Sequence, residues 1–385
     1  MSVIVENYTP YMHYVNLHDF ENLLPAGRYY YFNINPGTEF MIKKSRHSAD
    51  NVSGTDKILL LDNTLEGFSH NIPYIYEEFV IKKNLPENQI FLMSGSVDIQ
   101  QLVEETAKRL NRKPIQSKWV LFWPYSLMND VRHQRRHLLD IAFLEEKYRN
   151  RIVNHKKVYI NLNRRWRMHR ISMTATLAYK NLLNKGYVSL NEADDGFTVN
   201  NFNYSHLLAE HEQHKESYDI LRLQESNIQS FTNLSVDKES LIENEAHLSD
   251  SIEPYYWDSV INLTSETNFY TSMKSLEYNR TIINEPTRFL SEKTFKPMLY
   301  VQPFIMISVP KTLELLRSMG FKTFHPYIDE RYDDELDDCK RLMLIAQEVE
   351  KFSSYSKSEL ANFLELVKDR CLHNAYQLDK ITKKL

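Results

Sequence analysis

Cysteine and glycine are scarce in this 385-residue chain, which has two of the first, Cys339 and Cys371, and eight of the second. Two cysteines that far apart form neither a disulfide framework nor a zinc-site spacing, so a pair of buried free thiols is expected. Long apolar runs are missing too. No stretch approaches the roughly 18 apolar residues of a membrane helix, and the opening "MSVIVENYTPYMHYV" has neither the basic nor the apolar region of a signal peptide. These absences lead us to expect a cytoplasmic protein. Internal repeats and low-complexity tracts are also lacking. What is present is the composition of an ordinary globular protein, 42% hydrophobic and 25% charged, in a chain longer than one hydrophobic core usually spans. Two domains are therefore expected.

The formal net charge of −4 conceals an asymmetry. Residues 111–170 hold 15 Lys and Arg against 4 Asp and Glu, a net of +11, whereas residues 191–260 hold 3 basic and 15 acidic residues, a net of −12. Such segregation marks either a polyanion-facing surface or two faces that partly neutralise each other in the fold.

Periodicity places a buried strand at "ILLLD" (58–62), running into the polar loop "NTLEGFSHN". The run "NQIFLMSGS" and the segment "DIQQLVEETAKRLNR" read as strand, turn and helix with Asp98 as N-cap, and "KWVLFWPYS" as a further strand. A second run opens at "KKVYINLNRRWRMHR", with Ile171, Ala175, Ala178 and Leu182 at helical spacing and Gly186 as a C-cap. Downstream, "WDSVINLTSET" reads as a strand, 292–300 as a helix, "FIMIS" as a buried strand, "KTLELLRSM" as a helix ended by Gly320, and "FKTF" as a strand. Strands alternating with helices define the fold class as α/β with mainly parallel sheets. The expected domains are 1–150, 151–360 with an acidic insertion near 191–250, and terminal helices over 361–385 that return to the first domain. In open parallel sheets ligands bind beyond the C-terminal strand ends, and the loops 62–70, 163–170, 264–268 and 288–293 all fall there.

"NLNRRWRMHR" crowds Arg164, Arg165, Arg167 and Arg170 where a strand turns into a helix. Cations at the positive end of a helix dipole are unfavourable unless an anion joins them. A diphosphate would take hydrogen bonds from the free N–H groups and charge-assisted contacts from an arginine, with Arg170 on the first turn the favoured one. The alternative is pairing with surface carboxylates. In "RFLSEKTFKPMLYVQPFIMISVP", Lys293 suits the same phosphate and Glu292 suits the two hydroxyls of a ribose, while locally Glu292 is also an ordinary first-turn acid.

This last segment, with "NLTSETNF" and the arginine turn, resembles the donor-binding motif of GT-B glycosyltransferases of the fucosyltransferase kind. The resemblance covers about 155–185 and 257–330 and implies two Rossmann-like domains facing across a cleft. It also implies that Glu292 holds the donor ribose, that Lys293 and Arg170 hold the diphosphate, and that Thr264 and Glu266 lie beside the nucleotide. The helix "FKPMLYVQP" departs from the small-residue pattern usual there, and the first half carries no signature of that family. The overall pattern, through "KTLELLRSMGFKTFHPYIDERYD", is similar to phage-encoded glycosyltransferases, among them enzymes that add glucose or arabinose to hydroxymethylcytosine in DNA. The glycine-poor composition fits such a source.

An inverting transferase of this kind needs a general base for the acceptor hydroxyl. Glu66 and Asp62 are the candidates, with Asp130 third; for Asp62 a local turn bond is the competing account. Arginine and lysine suffice to neutralise the departing diphosphate, so no metal and no cofactor is required beyond a nucleotide sugar, expected to be UDP-linked. The acidic strings "ADDG" and "DERYDDELDD" imitate a metal site, but the second reads as an exposed helix. Arg132, Arg135 and Arg136, beside "FWPYSL", are the candidate contacts to duplex DNA, from which a target base would have to be flipped. No membrane partner is expected. A glycan or lipopolysaccharide acceptor, or a DNA-binding protein without catalysis, are the alternatives.

Overall fold

The computed structural model describes residues 3–6, 24–34, 46–65, 71–163, 167–191, 208, 212, 215–224, 233–234, 248, 250–271, 273–275, 282–284 and 287–383. The chain divides into two compact units, one of residues 1–129, 272–291 and 382–385, the other of 130–271 and 292–381. Each is a Rossmann-like α/β unit around a mostly parallel sheet.

The first unit has five parallel strands in sequential order: β1 (Val3–Glu6), β2 (Gly27–Asn33), β3 (Ile58–Asn63), β4 (Ile90–Ser94) and β5 (Gln116–Trp119). When every crossover steps the same way and is right-handed, the connecting helices fall on one face. Helices α1 (Asn71–Ile75) and α2 (Ile99–Arg109) do so. Ile72, Ile75, Leu102 and Val103 pack on Leu59, Leu61, Ile90 and Leu92. Tyr29, Leu60 and Phe91 point the other way and meet Val120 and Phe122. Helix α3 (Phe122–Gln134) begins where the sequence reads as strand. Val120 N–H closes the ladder on the Ser94 carbonyl, and Pro124 sits in the first helical turn, where no N–H is needed.

The second unit begins with α4 (Ile141–Asn154), β6 (Lys157–Asn163), α5 (Met168–Tyr179) and β7 (Gly186–Asn191). It continues with α6 (Lys215–Gln224), β8 (Asn233–Leu234), α7 (Glu253–Trp257) and β9 (Ser259–Ser265). After the hairpin of β10 (Met273–Ser275) and β11 (Ile282–Asn284), which belongs to the first unit, come α8 (Glu292–Leu299), β12 (Phe304–Ile307), α9 (Thr312–Ser318), α10 (Asp338–Ser354) and α11 (Lys357–Thr382). The strand order is β12-β9-β6-β7-β8, parallel except for β8. The chain steps from β6 to β7 in one direction and places β9 on the other side of β6, so the order reverses between β6 and β9. The first unit's described strands have no such reversal.

Fully buried Arg151, near the end of α4, fixes α8 from its C-terminal end. It donates to the carbonyls of Tyr300 (2.7 Å), Val301 (2.7 Å) and Tyr256 (3.2 Å). A cation at a helix C-terminus is favourable, although burial brings the Arg151 guanidinium down to about 10. Cys339 and Cys371 are both buried free thiols, on α10 and α11.

Three expected elements differ. Asn181, not Gly186, supplies the left-handed turn after α5, with φ of 57°. The segment "FKTF" is no strand, because side chains take its main-chain groups: Asn374 accepts from Lys322 N–H, Glu330 from Phe324 N–H, and Arg370 donates to the Thr323 carbonyl. The acidic string 329–338 is a set of caps, not an exposed helix. Asp333 accepts from Leu313 and Glu314 N–H at the start of α9, and Asp337 accepts from Lys340 N–H at the start of α10.

Gly186 serves a different purpose, since a Cβ there would lie 2.3 Å from the Tyr159 ring, whose hydroxyl is tied to the Leu182 carbonyl. Gly186→Ala is expected to destabilise the protein by about 1–3 kcal/mol through overpacking, measured by urea denaturation.

Candidate functional site

Beyond the C-terminal ends of β6 and β9, three pieces of the second unit are stitched together. The first turn of α5 carries His169 and Arg170, both buried. His169 Nε2 lies 3.0 Å from the Glu266 carbonyl, and Arg170 Nη2 lies 3.5 Å from the Ser265 carbonyl. From the opposite side Thr294, on the first turn of α8, donates to Glu266 Oε1, while Thr267 N–H donates to Glu266 Oε2 at 3.0 Å. Glu266 itself is fully buried. It is therefore the pin that joins the β9 end to both helix starts.

The sequence makes this arrangement possible by alternation. Along β6, Asn161 and Asn163 share one face, and β9 runs parallel beside it with Tyr159 opposite Ile261 and Ile160 opposite Asn262. Asn161 donates to the Leu263 carbonyl (2.5 Å) and to Ser265 Oγ (3.1 Å), and Asn163 donates to Asn161 Oδ1 (2.7 Å). Thr264, on the other face, donates to Asn262 Oδ1 at 2.7 Å. Buried polar groups at a strand end are tolerable when paired in this way.

Charge follows position. Burial would raise the Glu292 carboxyl, but Lys293, 2.6 Å away, and Lys296 hold it below the ordinary glutamate range. Glu292 is thus a buried carboxylate, with the partly buried Lys293 ammonium beside it. His169 is pushed well below the ordinary imidazole range, first by burial and then by the Arg170 and Arg167 cations. A neutral ring facing a carbonyl must carry its proton on Nε2. The ring stacks on Phe269 (5.4 Å between centroids), which in turn lies under the Arg341 guanidinium at 4.3 Å.

Of the residues singled out from sequence, Arg167 is the N-cap residue of α5, and Arg170, Thr264, Glu266, Glu292 and Lys293 all fall at these junctions. Arg164 and Glu66 lie outside the described residues. Asp62 accepts from the Tyr31 hydroxyl (2.6 Å), Thr64 N–H (3.0 Å) and the Thr64 hydroxyl (2.8 Å). The two bonds from Thr64 are the local turn bonding of a loop aspartate. Asp130 falls on α3 within the second unit.

The basic candidates separate. Arg135 is buried and donates to the Leu248 carbonyl (2.8 Å) and to Glu253 (3.1 Å), with Asp250 2.6 Å away, so it serves the fold and not a polyanion-facing surface. Arg132 pairs with Asp379 at 3.1 Å. Arg136 donates to the Arg132 carbonyl, and both line an open hollow of about 470 Å³ with Leu139 and Asp140. Sequence reasoning missed His169, Thr294 and the Asn161–Asn163 pair. Polar residues at every second position of an otherwise apolar strand were the available signal for the last.

No family model matches the chain, and no curated protein matches it in sequence. Among solved structures, the N-terminal domain of trehalose-6-phosphate phosphatase from Candida albicans aligns over 95% of this chain and 72% of its own, at 8% identity and a TM-score of 0.41. A structure described as trehalose-6-phosphate from E. coli bound with UDP-2-fluoro glucose aligns over 100% and 99%, at 10% identity and a TM-score of 0.40. Likeness of this size assigns no chemistry to the site, which has to be judged from its own side chains.

A buried neutral histidine makes stability depend on pH. Its folded pKa lies below the unfolded one, so the unfolded chain binds the extra proton and stability falls as pH drops below about 6.5, by up to about 1.4 kcal/mol per pH unit. Urea denaturation between pH 7 and pH 5 should show this slope, and in His169→Gln its histidine component should vanish.

Proposed function

We propose that the chain is a glycosyltransferase that binds a nucleotide-diphosphate sugar at the β6–β9 reversal and transfers the sugar, with inversion, to a hydroxyl acceptor. The observation that carries this is the joining of two helix starts through Glu266. One helix brings Arg167 and Arg170, the other Glu292 and Lys293. Cations gathered at helix N-termini, where the dipole is positive, suit an anion such as a diphosphate. A carboxylate kept ionised beside them suits the paired hydroxyls of a ribose. The resemblance of the Ser-Glu-Lys segment to the fucosyltransferase donor motif points the same way.

In this reading the diphosphate is the leaving group, and Arg170 and Lys293 stabilise the charge that develops on it as the glycosidic bond breaks. No metal is needed for that step. The acceptor hydroxyl gives up its proton to a carboxylate of the first unit. With Asp62 held in a turn, Glu66 is the base we favour. UDP is the favoured nucleotide, with glucose or arabinose as the sugar and 5-hydroxymethylcytosine in phage DNA as the acceptor. With Arg135 buried, a DNA contact would rest on Arg132 and Arg136, and a glycan acceptor competes closely.

Calorimetric titration with UDP-glucose tests the donor site. Lys293→Ala removes a charge-assisted contact and is expected to weaken binding about 10- to 100-fold. Unchanged affinity would remove Lys293 from the site. Glu66→Gln should bind UDP-glucose as the wild type does yet transfer nothing, read by mass spectrometry on plain and hydroxymethylated DNA; full activity would dismiss that base.

A further inference from the structure

Asn163, the last residue of β6, is 1% exposed, and its Oδ1 has no hydrogen-bond donor among the described residues. The orientation of that amide is not a matter of choice. A main-chain carbonyl cannot donate, so Asn161 must turn its nitrogen to the Leu263 carbonyl and its oxygen to Asn163. Asn163 must then give Nδ2 to Asn161, which leaves Oδ1 as a pure acceptor. Proton logic thus runs from β9 through two side chains and ends on one buried oxygen. That oxygen belongs to the final residue of β6, the strand where the order of the sheet reverses. The reversal is where ligands of open α/β sheets bind.

We infer that Asn163 Oδ1 accepts a hydrogen bond from a hydroxyl flanking the diphosphate, making Asn163 a specificity-determining residue of the donor site. This rests on the donor-site reading above. An amide oxygen repels phosphate oxygens and can meet only an O–H or N–H, whereas Arg167 and Arg170, a few residues on, can meet only acceptors. Together they select a ligand that carries an anion and a neutral donor side by side. Inorganic pyrophosphate is half of such a ligand, and a nucleotide sugar is all of it. A site built to hold a hydroxyl discriminates strongly against ligands without one, because the buried oxygen would otherwise stay unpaired.

The test is isothermal titration of the full chain with pyrophosphate, UDP and UDP-glucose, for the wild type and for Asn163→Ala. The variant should bind pyrophosphate within about twofold of the wild type and lose about tenfold toward the hydroxyl-bearing ligand. A loss already complete with UDP assigns the contact to the nucleoside side of the diphosphate; a loss seen only with UDP-glucose assigns it to the transferred sugar. Unchanged affinity for all three, as an internal water on Oδ1 would give, overturns the inference and leaves the donor site standing. So does an equal loss for pyrophosphate, which would mean that Asn163 only shapes the turn. A wild type that binds none of the three overturns the donor site and this inference together. If Asn163→Ala does not fold, Asn163→Asp serves. It keeps an acceptor and adds charge, so all three affinities should fall together, and a selective loss for UDP or UDP-glucose counts against the inference.

Discussion

The reversal of strand order between β6 and β9 is the constraint on which the second unit depends. Two adjacent parallel strands whose chains depart in opposite directions leave a gap at their C-terminal ends that no helix covers directly. Main-chain groups there have to be satisfied by side chains, and the chain supplies Asn161 to the Leu263 carbonyl and His169 to the Glu266 carbonyl, while Thr294 donates to the Glu266 carboxylate. The same bonds that close the gap set the first turns of α5 and α8 side by side. Architecture and ligand-binding capacity are here one arrangement.

Part of the segregated charge of the sequence is paired within the second unit. The basic stretch sends Arg135 to Glu253 and Asp250, and Lys156 to Asp258, so the end of the acidic stretch neutralises part of it within one unit. Arg151 goes further and is buried on carbonyl oxygens. Such a guanidinium costs desolvation that its three hydrogen bonds must offset, and what it secures is the end of α8 opposite to Glu292.

Much of this was legible beforehand, because strands buried on both faces and helices with one apolar face leave unmistakable periodicities. β6, β12 and α8 fall within a residue or so of where the pattern puts them, and β9 lies inside the stretch read as strand. The failures have a common cause in capping by distant side chains. Nothing near "FKTF" announces that Asn374 and Glu330 will take its N–H groups, and Asp333 caps α9 from some twenty residues downstream. Asp98 is the N-cap residue of α2 by position, yet its carboxylate binds Arg288 instead, 2.5 Å away. Junction residues such as Arg170 and Glu292 could be named from sequence because helix starts are local. The linkage of the two helix starts through Glu266, made by His169 and Thr294, could not, since it joins strands and helices far apart in the chain.

The two thiols have a practical side. Cys371 is pushed up to about 12 by burial, and Cys339 is enclosed as well, so neither presents a thiolate to solvent while α10 and α11 stay packed. Alkylation of the native protein should then be limited by the rate at which those helices open, and mass added per molecule becomes a clock for breathing of the second unit. A cysteine placed on the surface could be labelled with a fluorophore without first removing the natural pair.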